Sequence, residues 1–585
     1  MSELSSRFRH RAGPGRPFAY RVAAGIAAAP ARTVLAAAVL AITAFLPRAS
    51  VAQEPSGDAP RPMAVEDAFQ LVSVSSPALS PDGRLVAYVV STRSLEDNDG
   101  RSDVWTVPVA GGEPRRMTWH DASASSPAFS PDGRTLTFLA TRGDDAETQV
   151  WAMELTGGEA RALTDVEQGV GDYAWAPDAQ RLALSIRDAV PDREDGAPRP
   201  PWVVDRLQFK RDYAGYLDRR RTHLFVYDLK SKASSRLTEG DYDHSNVAWS
   251  PDGDRLAFTA NRTEEPDANY DTDVWVVDVT GAAAGSTPEP TRVSPGAGSD
   301  TGPIWSPDGS TLAWRTSLRP EVGGYAMSHV AVGAPGAEPR VLTAELDRSV
   351  YALRFSPDGR RVLGILETDG AEHLISVSVD GSGVETLLGG ERSVHAFEPL
   401  PGGGAIVVAS GQDAPAELWR LDRDGGLTRL TGHNDALLAE LSLGPVVRER
   451  VTAADGTELD AFFTFPPGVE AAGVGPGAAP LEGARGLPTI LWIHGGPMGQ
   501  DGWAWHTLRH LFAARGYLVV QPNYRGSHGY GQEFALGLWQ DWGGPERVDA
   551  IASVDHAIER GWADPERLGV GGWSYGAITT NAIIT

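Results

Sequence analysis

The chain is patterned in two ways, and the change falls near Leu441. Before it, short alternating apolar runs recur around one turn. Ser-Pro-Asp-Gly stands at Ser80–Gly83, Ser130–Gly133, Ser250–Gly253, Ser306–Gly309 and Ser356–Gly359. Degenerate copies stand at Ala176–Ala179 and Leu400–Gly403. The turn prolines lie at 81, 131, 177, 251, 307, 357 and 401, at intervals of 50, 46, 74, 56, 50 and 44 residues. Pro presets φ for the second turn position and Gly closes the turn. A large apolar residue precedes most copies, as with Phe129, Trp249 and Trp305, and an alternating run such as Leu256-Ala257-Phe258 follows. That reads as strand, hairpin turn, strand. Further strands follow in each unit, such as Asp103-Val104-Trp105 and Asp273-Val274-Trp275, then segments ending in Leu-Thr such as Leu237-Thr238. Four strands repeating every 40–55 residues predict a β-propeller, and seven turns predict seven blades over 53–440. The longest interval carries an aromatic and charged insertion at Trp202–Arg221, read equally well as a binding surface or as an elaborated blade edge.

After Leu441 the period lengthens. A buried strand, Thr489–Ile493, runs into His494-Gly495-Gly496-Pro497. A helix near Ala504–Arg515 and a strand at Tyr517–Gln521 follow. Pro545 opens a helix to Arg560, with Val548, Ile551, Val554 and Ile558 expected on its buried face. A short strand, Arg567–Gly571, leads into Gly572-Trp573-Ser574-Tyr575-Gly576. Strands alternating with helices predict a parallel α/β sheet. The predicted fold is therefore multidomain: a seven-bladed β-propeller, then an incomplete α/β-hydrolase domain at 441–585.

Gly-x-Ser-x-Gly is weak alone in a chain with 66 Gly. Its context strengthens it. Ser574 lies at a strand-to-helix junction, where a nucleophile elbow needs small flanking residues. About 80 residues upstream, the Gly-Gly loop follows a buried strand, where a second oxyanion donor belongs. The Tyr575 N–H and the Gly496 N–H could then hold a tetrahedral intermediate.

These motifs together, with Asn523–Gly531 (NYRGSHGYG) and Asp541–Gly544 (DWGG), resemble the prolyl oligopeptidase family of serine peptidases. The dipeptidyl-peptidase and acylaminoacyl-peptidase branch is the most similar. The resemblance runs from about residue 60 to the end. It implies hydrolysis of short peptides without a cofactor or metal, the propeller limiting access. By motif it makes Ser574 the nucleophile, with Tyr575 and Gly496, or Gly495, supplying oxyanion N–H groups. Family members often have Gly where this chain has Ala577. In α/β-hydrolases the acid and then the base follow the serine. Only 11 residues follow Ser574, and His494, His506, His510, His528 and His556 all precede it. The expectation is a fragment cut inside its catalytic domain, inactive alone. An esterase, or a binding propeller with a dead hydrolase remnant, stands as the alternative.

Composition narrows the partners. The chain has 585 residues, 41% apolar and 22% charged, with no Cys, which excludes disulfides, thiol catalysis and Cys-ligated metals. Its 52 basic against 77 acidic residues give a net −25. Residues 1–52 hold seven Arg and one acid, leaving 45 against 76, a net −31, for the remainder. Such a surface repels phosphate backbones, so nucleic acid is not an expected partner. Acidic propeller residues, among them those near Asp205–Arg221, are expected to help capture a peptide's N-terminal ammonium. At the N-terminus, six arginines precede an apolar run at 34–46, then Ser50-Val51-Ala52. As a helix that run spans about 20 Å, short of the ~30 Å a bilayer needs. Residues 1–52 are thus expected to be a signal peptide cleaved after Ala52, giving a periplasmic or secreted bacterial protein with no lasting membrane span.

Overall fold

The computed structural model describes residues 59–585 apart from 144–145, 191–200, 213, 281–286, 295, 297 and 470–485. The expected signal peptide lies outside the described residues. Among the described residues, no helix is long and apolar enough to cross a membrane.

The repeat folds as four-stranded antiparallel sets. Five are separate sheets, at 73–116, 124–162, 172–236, 244–292 and 301–341. Two further sets, at 350–388 and 393–429, share an eight-stranded sheet through one parallel bridge between Glu372 and Ser393. A single set buries little of its own face, and neighbours supply the rest. Phe129, Leu136 and Phe138 of the second set pack on Ala87 and Val104 of the first. Trp305 and Trp314 of the fifth pack on Ala257 and Val274 of the fourth. The first and last sets share no strand. They meet through side chains, Val74, Tyr88 and Val107 against Ile406, Leu418 and Leu430. Asn434 ties the same junction, accepting from Val72 N at 2.9 Å and donating to Val72 O at 3.0 Å.

The turns explain their own residues. Ser80 Oγ donates to Asp82 Oδ1 at 2.7 Å and accepts from Leu85 N at 2.9 Å, so Ser and Asp both staple the hairpin. Gly83 has φ +70, which L side chains adopt at a cost. A Cβ built on Gly83 would also sit 3.0 Å from Pro401 of the last turn, and one on Gly309 would sit 3.3 Å from Pro251. Each such Gly gives room to the preceding turn's Pro. The Leu-Thr signal has a cause too. After Leu163, Thr164 Oγ1 accepts from Val150 N at 3.0 Å and donates to Gln149 Oε1 at 2.7 Å, locking the fourth strand to the third. Thr431 repeats this with Leu418 N and Glu417. The sequence did not announce the β-bulges in the first strands, where Ser76, Ser126, Asn246 and Ala352 take positive φ.

The insertion at Trp202–Arg221 lies between the second and third strands of the third set. It carries a two-residue hairpin, Lys210–Arg211 with Gly215–Tyr216, and exposes Trp202 and Phe209. Its charges are mostly paired internally or with the next loop. Asp205 meets Arg219, Asp218 meets Arg187 and Arg220, and Arg206 meets Asp267 at 2.6 Å.

The last segment forms a five-stranded sheet. Its strands are β1 (Val446–Thr452), β2 (Glu458–Thr464), β3 (Leu487–Ile493), β4 (Leu518–Pro522) and β5 (Ala563–Gly572). Their order is β1-β2-β4-β3-β5, with β3 parallel to both β4 and β5. Helices α1 (Thr507–Ala513), α2 (Gln532–Leu536), α3 (Pro545–Glu559) and α4 (Tyr575–Ile584) flank it. Helix α1 is shorter than expected. Its own Arg509 donates to Gly502 O and Ala504 O, holding the preceding loop outside the helix, and His506 caps it by accepting from Arg509 N. Helix α3 buries Val554 and packs Val548 and Ile558 on the core as expected, but its buried face is wider and includes acids. Glu546, Asp549, Ala550, Ser553, Val554 and Ala557 point inward, while Ile551 is 41% exposed. Those buried acids have partners at the site.

Candidate active site

Strand β5 delivers Ser574 into a sharp turn before α4. Ser574 has φ 53 and ψ −116, a conformation that a non-Gly residue holds only when its surroundings enforce it. They do. A Cβ on Gly576 would lie 2.0 Å from Ile493 O, and one on Gly572 would lie 2.6 Å from Ile493 O and from Gly576 O. Backbone occupies both places, so only Gly fits. The turn is closed by Gly576 N to Trp573 O at 2.9 Å and Ala577 N to Ser574 O at 3.0 Å. Ser574 itself is exposed, and Trp573 beside it is 58% exposed.

The Gly-Gly loop after β3 runs against this turn. A Cβ on Gly495 would come 2.9 Å from Trp573 O and 3.1 Å from Ser574 Cβ. Gly496 follows with φ +127, and its place for a Cβ is taken by Met498 N at 2.4 Å. Among the described residues, no hydrogen bond engages the N–H of Tyr575 or of Gly496. Ser574, Gly495, Gly496 and Tyr575 are therefore brought together.

His494 serves this loop and not the serine. It is half-buried, stacks on Tyr524 at 4.4 Å, and its Nε2 meets Ser527 Oγ at 3.0 Å. Burial pushes its pKa down to about 4, so the ring is neutral at physiological pH. His506 caps α1, His510 meets Gln412 O, His528 faces Glu367 and His556 meets Glu449. No described histidine hydrogen-bonds Ser574.

The Asn523–Gly531 loop supplies what sequence reasoning left without roles. Asn523 Oδ1 accepts from Asp501 N at 2.7 Å, and its Nδ2 donates to Asp501 O at 2.9 Å, so it clamps the loop that follows Gly495-Gly496. Arg525 reaches Asp549 of α3 through N, Nε and Nη2 at 2.7, 3.0 and 2.7 Å, and Asp455 through Nη1 at 2.6 Å. Glu546 accepts from Tyr575 OH at 2.8 Å and from Gly543 N at 2.6 Å. Burial, then this carboxylate, pushes the Tyr575 phenol up. The Gly543 N–H explains part of DWGG. Trp542 explains another part, standing edge-on to Tyr575 at 4.9 Å and donating to Tyr325 OH at 2.8 Å. A hairpin of the propeller completes the frame. Gly370 N donates to Gln500 Oε1 at 2.9 Å, Trp503 N to Gly370 O at 2.8 Å and Asp369 N to Gly529 O at 3.0 Å.

Two outcomes follow from these contacts. Asp549 is fully buried, so Arg525→Ala leaves a buried carboxylate unpaired and should cost about 3–5 kcal/mol by urea denaturation. The double variant Arg525→Ala/Asp549→Asn should recover part of that loss. Asp501 is buried with Oδ1 accepting from Gln521 Nε2 and Oδ2 unpartnered. Burial pushes its carboxyl up to about 7, against the opposite pull of Arg509. Between about pH 4 and 7 the folded state therefore holds a proton that the unfolded state has lost, and stability falls as pH rises. Asp501→Asn should gain stability over the parent across that window, with a flat difference above it. Parallel melts from pH 4 to 8 check this.

Among the described residues no group of His, Cys, Asp and Glu could hold a metal ion. The prolyl oligopeptidase family matches residues 503–585, and a TolB beta propeller domain matches residues 67–192. The uncharacterized peptidase YuxL of Bacillus subtilis is 31% identical over 550 residues, covering 89% of this chain and 79% of the relative. Dipeptidyl-peptidase 5 of Porphyromonas gingivalis is 24% identical, covering 87% of this chain and 74% of its own. The solved acylaminoacyl peptidase of Pyrococcus horikoshii superposes with a TM-score of 0.72 at 22% identity, covering 88% of this chain and 75% of that one. A β-propeller followed by an α/β-hydrolase sheet is the shared fold. With this likeness running through both parts, the chain belongs to the prolyl oligopeptidase family.

Proposed function

We propose that the chain is a serine peptidase of short peptides, with Ser574 as nucleophile and the N–H groups of Tyr575 and Gly496 as oxyanion donors, Gly495 being the alternative donor. One observation carries the reading. The strained, exposed Ser574 lies against Gly495, and the N–H of Gly496 is unengaged among the described residues. Attack by Ser574 Oγ on a peptide carbonyl would form a tetrahedral oxyanion. The two N–H groups would hold that charge, and its collapse would release the amine and leave an acyl-serine. Water would then hydrolyse the ester. The proton of Ser574 needs a base, and no described histidine bonds it. These 585 residues alone are therefore proposed to turn over slowly at best.

The names of the relatives support peptide substrates. Dipeptidyl-peptidase 5 is one, and an acylaminoacyl peptidase is known in complex with Z-Gly-Gly-Phe-chloromethyl ketone. We assign 53–440 to a propeller that limits access and 441–585 to the hydrolase part. Peptide anilides should be cleaved faster than matched p-nitrophenyl esters once each is referenced to its spontaneous rate, and native casein should be spared. An ester-only enzyme would contradict the peptidase reading. Export with removal of 1–52 is part of the proposal, and N-terminal sequencing of the protein from its host should begin at Gln53.

A further inference from the structure

A propeller wall beside Met498 of the Gly-Gly loop carries a positive charge that no acid balances among the described residues. Thr301, the first residue of strand Thr301–Trp305, is paired with Arg315 near the far end of strand Leu312–Ser317 in the fifth set. That end lies away from the Ser306–Gly309 turn. The next loop holds a 3-10 turn, Pro320–Tyr325, which meets the hydrolase part. A Cβ built on Gly324 would sit 2.6 Å from Met498 Cε, two residues past Gly496. Gln532 fixes the same loop, accepting from Met327 N at 3.0 Å and donating to Tyr325 O at 2.8 Å.

Between this loop and the fourth set lies a cleft of about 220 Å³. Arg315, Thr301, Tyr270, Ser299, Ser317 and Ser328 supply its polar lining. Arg315 is half-buried and donates through Nη2 to Thr301 Oγ1 at 2.9 Å. Among the described residues no carboxylate lies within ion-pair distance of it. A guanidinium has five N–H donors and stays charged, so most of its capacity is unspent. Burial lowers its pKa, and no neighbouring acid offsets this. The acids expected to draw in a substrate's ammonium are differently placed. Within 205–221, Asp205 and Asp218 are already held by Arg219 and Arg220, and Arg206 holds Asp267 of the next loop. The last pair also braces the loop that brings Tyr270 to the cleft.

We propose that the Arg315 cleft is a subsite for a carboxylate of the bound peptide, either its C-terminus or an Asp or Glu side chain. This rests on the peptidase reading of Ser574. The guanidinium would meet the carboxylate with charge-assisted hydrogen bonds, and the surrounding hydroxyls would add neutral ones. The cleft is small, so it would take the end of a peptide or one side chain.

The test is calorimetric titration of the 585-residue chain carrying Ser574→Ala, which prevents turnover. Three Ala-based tetrapeptides serve as probes: one with a free C-terminus, one amidated and neutral, and one amidated with a single Glu. The free-acid or the Glu peptide should bind about tenfold tighter than the neutral one, less so at 0.5 M salt. Whichever is preferred identifies the source of the carboxylate. Arg315→Gln should bring that ratio near one, and Arg315→Lys should retain part of it. Thr301→Val, which removes the hydroxyl that orients the guanidinium, should lower it. Equal or undetectable binding of all three peptides, or a preference that survives Arg315→Gln, overturns the subsite. A fluorophosphonate probe on the protein as its host makes it separates the two ideas. Labelling of Ser574 without a carboxylate preference removes the subsite alone, whereas failure to label Ser574 removes the peptidase reading.

Discussion

Replacing Ser574 with Ala should lower kcat for peptide hydrolysis by on the order of 10⁵-fold while leaving stability within about 0.5 kcal/mol. The two halves of this expectation have separate causes. The acyl-enzyme route needs an oxygen on residue 574, and no neighbouring side chain replaces it. Stability is untouched because Ser574 is exposed and, among the described residues, its hydroxyl makes no hydrogen bond. The backbone strain at φ 53 remains in the variant, because Gly572 and Gly576 impose it. KM should change little. The assay uses the protein as its host makes it, with urea melts beside it. A variant that keeps a tenth of the parent's kcat would mean that another group attacks the peptide.

Gly576→Ala should be nearly as damaging to activity, and for a different reason. The added methyl would meet Ile493 O at 2.0 Å and His494 O at 2.8 Å. These are backbone atoms of β3 and of the loop that follows it, so no rotamer change makes room. Either α4 or the loop must shift. We expect a loss of about 3 kcal/mol, the upper end for overpacking. A shift near 1 Å between Ser574 and the Tyr575 and Gly496 N–H groups should cost about 100-fold in kcat. Gly516→Ala is the control. Gly516 also has positive φ, +86, but nothing lies within 4 Å of its would-be Cβ, so only the strain of about 1–2 kcal/mol applies. Equal effects of the two substitutions would show that close approach at Gly576 is not what shapes the elbow.

Most of the fold was legible because local rules governed it. The Ser-Pro-Asp-Gly turn carries its own hydrogen bonds within five residues, so each copy marked a hairpin. The strand-turn-helix around Ser574 was legible from its glycines and from the apolar run before His494. What escaped depends on partners far away in the chain. The buried face of α3 includes Glu546 and Asp549 because they answer Tyr575 and Arg525, 29 and 24 residues distant. An apolar periodicity search cannot see such a face, and Ile551 was misplaced for that reason. Asn523 could have been suspected as a clamp from its place just after a buried strand. Its partner Asp501 gave no local signal, since a lone acid in a Gly-rich loop reads as exposed. Arg315 was silent altogether, because an unpaired guanidinium is defined by which acids fail to reach it.

The central claim is that Ser574 is the nucleophile of a peptidase site. Site mapping by mass spectrometry after treatment with a fluorophosphonate probe tests it most directly. The protein as its host makes it should carry one adduct, on Ser574, and peptide turnover should fall in step with adduct formation. An adduct on a different residue, or full labelling with peptide turnover undiminished, would contradict the account.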